Sequence, residues 1–216
     1  MPEVNLMDLY PRAKRDLDHR VAVGEKDRRI AKQFGREFFD GTRDQGYGGY
    51  RYDGRWIPVV KRMKDYYGLA EETSVLDVGC GKGFMLHDFK QVMPLCTVAG
   101  LDISRYAVEN AMEDVKPFLT VGNCKSLPYP DDSFDFVVSI NTVHNLKRDE
   151  CAESIRQIER VARKNKFIVV DAYRNEQEKG RMYKWNLTAE TILHVDDWKQ
   201  LLEEAGYTGD YYWFTP

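Results

Sequence analysis

The sequence predicts an α/β fold, a doubly wound and mainly parallel sheet with an N-terminal helical cap. Short apolar runs of strand length alternate with amphipathic helical stretches from residue 75 onward, the pattern of repeated strand–helix–strand units. The first run, Val75-Leu76-Asp77-Val78, passes through Gly79, Gly81 and Gly83 into a helix, which reads as a nucleotide-binding crossover. The next run ends in Asp102, 19 residues beyond Gly83, the spacing at which a strand-end carboxylate accepts hydrogen bonds from both hydroxyls of a ribose. Asp102 could equally cap the helix that follows. Ligands of such sheets lie at the carboxyl ends of the strands.

Composition bounds the possibilities. A chain of 216 residues can bury one sizeable core, and 43% hydrophobic with 31% charged residues is ordinary for a soluble globular protein. It has no run of eighteen apolar residues and no apolar signal core, so no membrane association is expected and the chain reads as cytoplasmic. Cys80, Cys96, Cys124 and Cys151 form no C-x-x-C pair and no metal spacing, which predicts reduced thiols and no metal. A net charge of −3 argues against nucleic acid as a partner. The charge is uneven: residues 1–70 hold 15 Lys/Arg against 11 Asp/Glu, and the remainder 17 against 24. A small anionic substrate approached from the N-terminal side fits that asymmetry, and so does a solvated helix surface.

The elements follow in order. Residues 1–70 form an N-terminal segment, with helices expected over 12–23 and over 25–39, where Ile30, Phe34 and Phe38 share a face. Residues 41–56 hold five glycines, Tyr47, Tyr50, Tyr52, Trp56 and three arginines including Arg55. That stretch is too glycine-rich for a regular element, and reads either as a functional loop over a cleft or as a surface loop whose rings pack down. A helix over 56–67, with Pro58 in its first turn and Gly68 at its end, delivers the chain to the domain at 71–216. There the strands are expected from residue 75 into the glycine loop, then over 97–102, 118–122, 134–140 and 166–171, with helices over 84–92, 104–113, 149–163 and 196–205. Residues 173–195, with Tyr183 and Trp185, read as a long connection walling the ligand side. A sixth strand within 207–214 is expected beside the fifth, with no terminal hairpin, and its aromatic edge would suit a homodimer.

The glycine loop sorts the ligands. Lys82 is followed by Gly83 and Phe84 rather than Ser or Thr, so it is no P-loop, and Gly79-x-Gly81-x-Gly83 departs from the dinucleotide spacing. Asp77 would repel a pyrophosphate and suit a ligand bearing an ammonium group. The stretch from Val75 to Leu86 resembles motif I of the class I S-adenosylmethionine-dependent methyltransferases. Leu127-Pro128-Tyr129-Pro130-Asp131-Asp132-Ser133-Phe134-Asp135 is similar to the segment before the fourth strand in their ubiquinone/menaquinone-biosynthesis-like ("type 11") branch. The resemblance covers residues 75–172 and implies a Rossmann-like fold with S-adenosyl-L-methionine as cofactor and S-adenosyl-L-homocysteine as product. It implies that Asp77, Gly79, Cys80, Gly81 and Gly83 hold the methionine part, Asp102 and Ile103 the ribose, Asn123 and Cys124 the adenine, with Ser139 or Ile140 near sulfur. The family commonly has an acid where this chain has Asn123, whose amide oxygen can still accept a hydrogen bond.

The function expected from this resemblance is methyl transfer to an oxygen or nitrogen of a small-molecule acceptor. The magnesium-dependent branch needs clustered acids after the fourth strand, which are absent here. Asn141, His144, Tyr47, Tyr50, Tyr52, Arg55, Trp56, Tyr183 and Trp185 are the candidate acceptor-side residues. His144 lies four residues past the fourth strand, where an imidazole could serve as general base or as a structural hydrogen-bonding residue. The alternative function is a non-catalytic S-adenosylmethionine-binding regulator or partner subunit; a short sheet would favour it and a lined pocket oppose it. A nicotinamide oxidoreductase is disfavoured by the loop spacing.

Overall fold

The first strand is buried on both faces, Val75 packing into one layer and Leu76 and Val78 into the other, as alternation along a pleated strand requires. The computed structural model, which describes residues 1–11 and 16–216, places it at the centre of a seven-stranded sheet. The strands are β1 (Ser74–Val78), β2 (Thr97–Asp102), β3 (Leu119–Val121), β4 (Phe134–Ile140), β5 (Ala162–Tyr173), β6 (Leu193–His194) and β7 (Asp210–Phe214). They run in the order β3-β2-β1-β4-β5-β6, with β7 also on β5, and every pairing is parallel. The chain winds outward from β1 through β2 and β3, then returns to the other side of β1 as β4. The strand order therefore reverses between β1 and β4, and a crevice opens at their carboxyl ends.

Nine helices pack around this sheet among the described residues: α1 (Leu17–Ala22), α2 (Glu25–Ala31), α3 (Arg36–Asp40), α4 (Ile57–Tyr67), α5 (Phe84–Val92), α6 (Arg105–Glu109), α7 (Arg148–Val161), α8 (Glu176–Trp185) and α9 (Val195–Glu204). α7 and α9 bury Ile155, Ile158, Trp198 and Leu201 against one face. On the other face α4 and α5 bury Val59, Val60, Met63 and Phe89, and the N-terminal strand-like segment adds Leu6 to the same cluster. Gly68 closes α4 in the left-handed conformation, φ 59°, which glycine adopts without a side-chain clash.

Four sequence expectations change. The helix expected over 25–39 is broken into α2 and α3 because Phe34 turns left-handed at φ 50°, ahead of Gly35. Of the helix expected over 12–23, residues 12–15 lie outside the described residues and α1 accounts for the rest that is helical. The connection at 173–195 contains α8, capped by Asn175, whose side chain accepts from the Glu178 amide at 2.9 Å. α8 buries only Met182 and carries Gly180, so it lacks an apolar stripe that sequence periodicity could detect. The sheet has seven strands rather than six, since the two-residue β6 pairs Leu193 with Ala172. β7 does lie beside β5, and β6 and β7 form no hairpin. Its other edge is met by the N-terminal segment, where the Val4 amide donates to the Tyr211 carbonyl at 2.9 Å.

Candidate functional site

The crevice is a cavity of about 810 Å³, within the size range of small-molecule sites. Its floor is the glycine loop. Gly79, Gly81 and Gly83 stand at φ 89°, 54° and 73°, a region that other residues enter only with strain. At Gly79 the space is also closed, because a Cβ there would come within 1.9 Å of Thr142 Oγ1. The loop is fixed by Asp102: one carboxylate oxygen accepts from the Gly81 amide at 2.7 Å, the other from the Ser104 amide at 2.8 Å. Asp102 thus braces the loop and the start of α6 together, and each oxygen retains a lone pair for a ligand. Burial raises the Asp102 carboxyl above its ordinary range, partly offset by these two amides. Asp77 is pushed well above that range by burial and then by the charge of Asp102. Two desolvated carboxylates on one wall favour a ligand with a positive charge and hydroxyl donors.

Asp77, Gly79, Cys80, Gly81, Asp102, Ile103, Asn123, Cys124 and Ile140 all line the cavity. Gly83 and Ser139 do not. Gly83 is the N-cap of α5, where a Cβ would meet Val115 at 2.7 Å, and Ser139 is wholly buried with its hydroxyl donating to the Val78 carbonyl at 3.0 Å. Ser139 is therefore a strut between β4 and β1. Asn123 Oδ1 already accepts from the Lys125 amide at 3.0 Å, which leaves one lone pair and its NH₂ group for a ligand.

On the acceptor side Tyr47, Tyr50, Arg55, Trp56, Asn141, His144 and Trp185 line the cavity. Tyr52 and Tyr183 stand outside it: the Tyr52 hydroxyl donates to Asp88 at 2.6 Å, and Tyr183 is 57% exposed on the outer side of α8. Residues 41–56 fold down on the glycine loop, with the Tyr50 ring stacked on Phe84 at 4.6 Å and tilted against Tyr47 at 4.4 Å. Three residues outside the expected set, Asp40, Lys82 and Tyr106, hold them there. Lys82, from the glycine loop, donates to Asp40 at 2.6 Å and to the Tyr50 carbonyl at 3.2 Å, while the Tyr106 hydroxyl donates to the same Asp40 oxygen at 2.7 Å. Burial pushes the Asp40 carboxyl up, but the hydrogen bonds from Lys82 and Tyr106 outweigh it and hold the group below its ordinary range.

His144 is buried, and its Nδ1 accepts from the Asp171 amide at 2.9 Å. That contact places the ring proton on Nε2, which lies 3.7 Å from Asp171 Oδ2. The lone pair a general base would use is thereby committed to a backbone amide, and burial lowers the pKa further despite the nearby Asp171. The geometry favours His144 as a hydrogen-bond donor over the expected base. Asp171 in turn accepts from the Asn186 side chain, and its carbonyl accepts from Trp198 Nε1 at 2.9 Å. Arg20, Asp171, Asn186, Tyr212 and Phe214 also line the cavity. The sequence did not single these out, because nothing local marks a residue whose partners lie on other elements, 15 to 27 positions away for Asp171.

Comparison with known proteins now bears on this geometry. A family model described as "Methyltransferase domain" matches residues 69–206. Curated relatives include the "Uncharacterized methyltransferase YcgJ" of Bacillus subtilis, 30% identical over 49% of this chain and 43% of that protein. Ajmaline N-methyltransferase of Rauvolfia serpentina is 34% identical over 45% and 35%, and 27-O-demethylrifamycin SV methyltransferase of Amycolatopsis mediterranei 26% identical over 68% and 58%. The matched part thus spans about a third to three fifths of these relatives' own lengths. The crystal structure of YcgJ superimposes with a TM-score of 0.56 at 20% identity, covering 68% of this chain and 66% of that one, which speaks to the fold alone. The glycine-loop crevice, the parallel sheet and the family match over most of the sheet agree, and the chain belongs to the class I S-adenosylmethionine-dependent methyltransferase family.

Proposed function

We propose that this chain binds S-adenosyl-L-methionine in the crevice and transfers its methyl group to an oxygen or nitrogen of a small-molecule acceptor, releasing S-adenosyl-L-homocysteine. The observation that carries the reading is the union of glycine loop and acids in one cavity that extends well beyond them to the loop 41–56 and α8. The residues fit the cofactor: the glycines leave a cradle that side chains would fill, Asp77 is an unneutralised acid suited to an ammonium group, and Asp102 suits a ribose diol. Asn123 and Cys124 would flank the base, and Ile140 with the backbone around it would lie near sulfur. Bound there, the cofactor supplies an activated methyl group with a neutral thioether as leaving group.

The protein's part is alignment and exclusion of water. A displacement in line needs nucleophile and methyl carbon held in near-attack contact, which gains rate by removing translational and rotational freedom. Tyr47, Tyr50, Trp56, Trp185 and His144 line the space left for the acceptor. His144, as a neutral Nε2–H donor, would orient an acceptor oxygen and would not remove its proton. The N- and O-methyltransferase names of two relatives support an oxygen or nitrogen acceptor. The lined space past the glycine loop counts against a purely cofactor-sensing partner. Incubation with methyl-labelled S-adenosylmethionine and fractions of a metabolite extract tests the reading: label should pass into an extractable small molecule with one equivalent of S-adenosylhomocysteine. Tight cofactor binding without transfer to any fraction would leave the regulator reading.

A further inference from the structure

The far corner of the cavity has the opposite charge to its floor. Arg20, on α1, lines the cavity and is only 4% exposed. Its guanidinium lies over the Trp185 ring, 5.0 Å from the centroid, and the Arg43 guanidinium lies over the same ring at 5.9 Å. Arg28 stands beside them and gives its donors to the carbonyls of Val23, Asn186 and Arg20. Arg20 Nη1 donates to the Arg43 carbonyl at 3.2 Å. Among the described residues none of these three arginines forms an ion pair with a carboxylate. Asp44 raises the Arg20 pKa through its charge but is itself bonded to His19 at 2.7 Å. The sequence of residues 12–15, Arg-Ala-Lys-Arg, contains no acid.

A buried guanidinium without a carboxylate is costly, and proteins keep such an arrangement where a ligand supplies the missing charge. Resting on the methyl-transfer reading above, we propose that the acceptor is a small organic acid whose carboxylate is held by Arg20 and Arg43 against the face of Trp185. The Arg20 guanidinium lies over the indole, and its Nε and Nη2, which make no hydrogen bond among the described residues, are parallel donors that match a planar carboxylate. The corner is wired to the reacting end. Arg28 donates to the Asn186 carbonyl at 2.8 Å, the Asn186 amide donates to Asp171, and the Asp171 amide donates to His144 at 2.9 Å. Asp77 and Asp102 thus stand beside the glycine loop, while Arg20 and Arg43 stand with Trp185 on the acceptor side, where Asp171 is engaged by Asn186 and His144. Arg181, exposed at the mouth, adds to the field that draws an anion in.

The test uses protein saturated with S-adenosylhomocysteine and challenged with an equimolar mixture of small aromatic and aliphatic carboxylic acids and their primary amides. Retained compounds are counted by ultrafiltration and mass spectrometry, and cofactor affinity is measured on the same samples. Wild type should retain acids over their amides by about tenfold or more, the worth of a bidentate charged pair. Arg20→Gln should abolish the preference and Arg20→Lys restore it in part, with S-adenosylhomocysteine affinity held within about twofold. Arg43→Gln, at the exposed rim, should reduce the preference and serves if Arg20→Gln does not fold. Retention of amides equal to that of acids, including retention of neither, overturns the proposal, as does a preference that survives both variants. Acid retention without S-adenosylhomocysteine binding would remove the methyl-transfer reading and keep the anion site. Cofactor binding without acid preference would remove the anion site alone.

Discussion

Asp77 is expensive to the free protein. Its carboxyl is raised by burial and by the charge of Asp102, so keeping it ionised costs the folded state more than the unfolded chain. The sign follows: stability from this group is full below the ordinary carboxylate value and is lost as pH rises through the raised folded value. Asp77→Asn should therefore stabilise the ligand-free protein at neutral pH by about 0.5–2 kcal/mol, the usual return for relieving a functional-site penalty, while weakening S-adenosylmethionine at least tenfold. Thermal melts and calorimetry read the two effects, and a variant that loses stability would show that Asp77 is structural. His144 gives a second prediction. With Nδ1 accepting from the Asp171 amide and burial lowering its pKa, the ring should be the neutral Nε2–H tautomer at the ordinary histidine value of about 6.5, where a free imidazole is half protonated. Nitrogen chemical shifts in NMR decide it, and titration near that ordinary value would return His144 to the list of bases. At this scale the sequence was informative where chemistry is local. Gly79, Gly81 and Asp102 declare themselves by spacing, whereas Arg20 is one arginine in a charged helix until Trp185 arrives from 165 positions away.

Residues 41–56 are tied to the glycine loop by one hub, Asp40, which receives Lys82, Tyr106 and the Tyr50 amide, the last at 3.2 Å. Because the Asp40 carboxyl is held below its ordinary range, its contribution is complete above the ordinary carboxylate value of about 3.9 and fades as pH falls through the depressed one. Hydrogen exchange in 41–56 should thus be no more protected at pH 8 than at pH 5 once corrected for intrinsic rate. Asp40→Asn should raise exchange there by about tenfold at neutral pH, while cofactor and acceptor together should slow it in wild type. Unchanged exchange in Asp40→Asn would mean that the aromatic stacking of Tyr50 on Phe84 holds the loop unaided. Here composition was legible and conformation was not: five glycines and four large rings announce a functional or packed loop, but the anchor Lys82 sits in a motif whose spacing draws attention elsewhere. α8 and β6 escaped for a different reason, since an element that buries one side chain or spans two residues carries no period.

The whole molecule is a sheet whose two layers are completed by segments distant in sequence. Leu6, 1% exposed, packs with Val60, Phe136 and Phe167, and the Val4 amide bonds to β7, so the N-terminal segment closes both a core and an edge. Leu6→Ala should cost about 2–5 kcal/mol of global stability, as for other buried leucines, and denaturant unfolding would show a mere surface role if the loss were under about 1 kcal/mol. The doubly wound order was legible because β1, β2, β4 and β5 are apolar runs buried on both faces. The placement of β7 beside β5 followed from there being residues for one full strand after α9, while its parallel direction and the edge cover by residues 2–4 leave no periodic trace. Calorimetric titration of the chain with S-adenosylhomocysteine tests most directly whether the cofactor occupies the crevice between β1 and β4. One molecule should bind per chain, Asp102→Ala should weaken it by about 1.5–3 kcal/mol through loss of charge-assisted hydrogen bonds to the ribose, and nicotinamide dinucleotides should give no heat. Absence of binding, or equal affinity in wild type and Asp102→Ala, would contradict it.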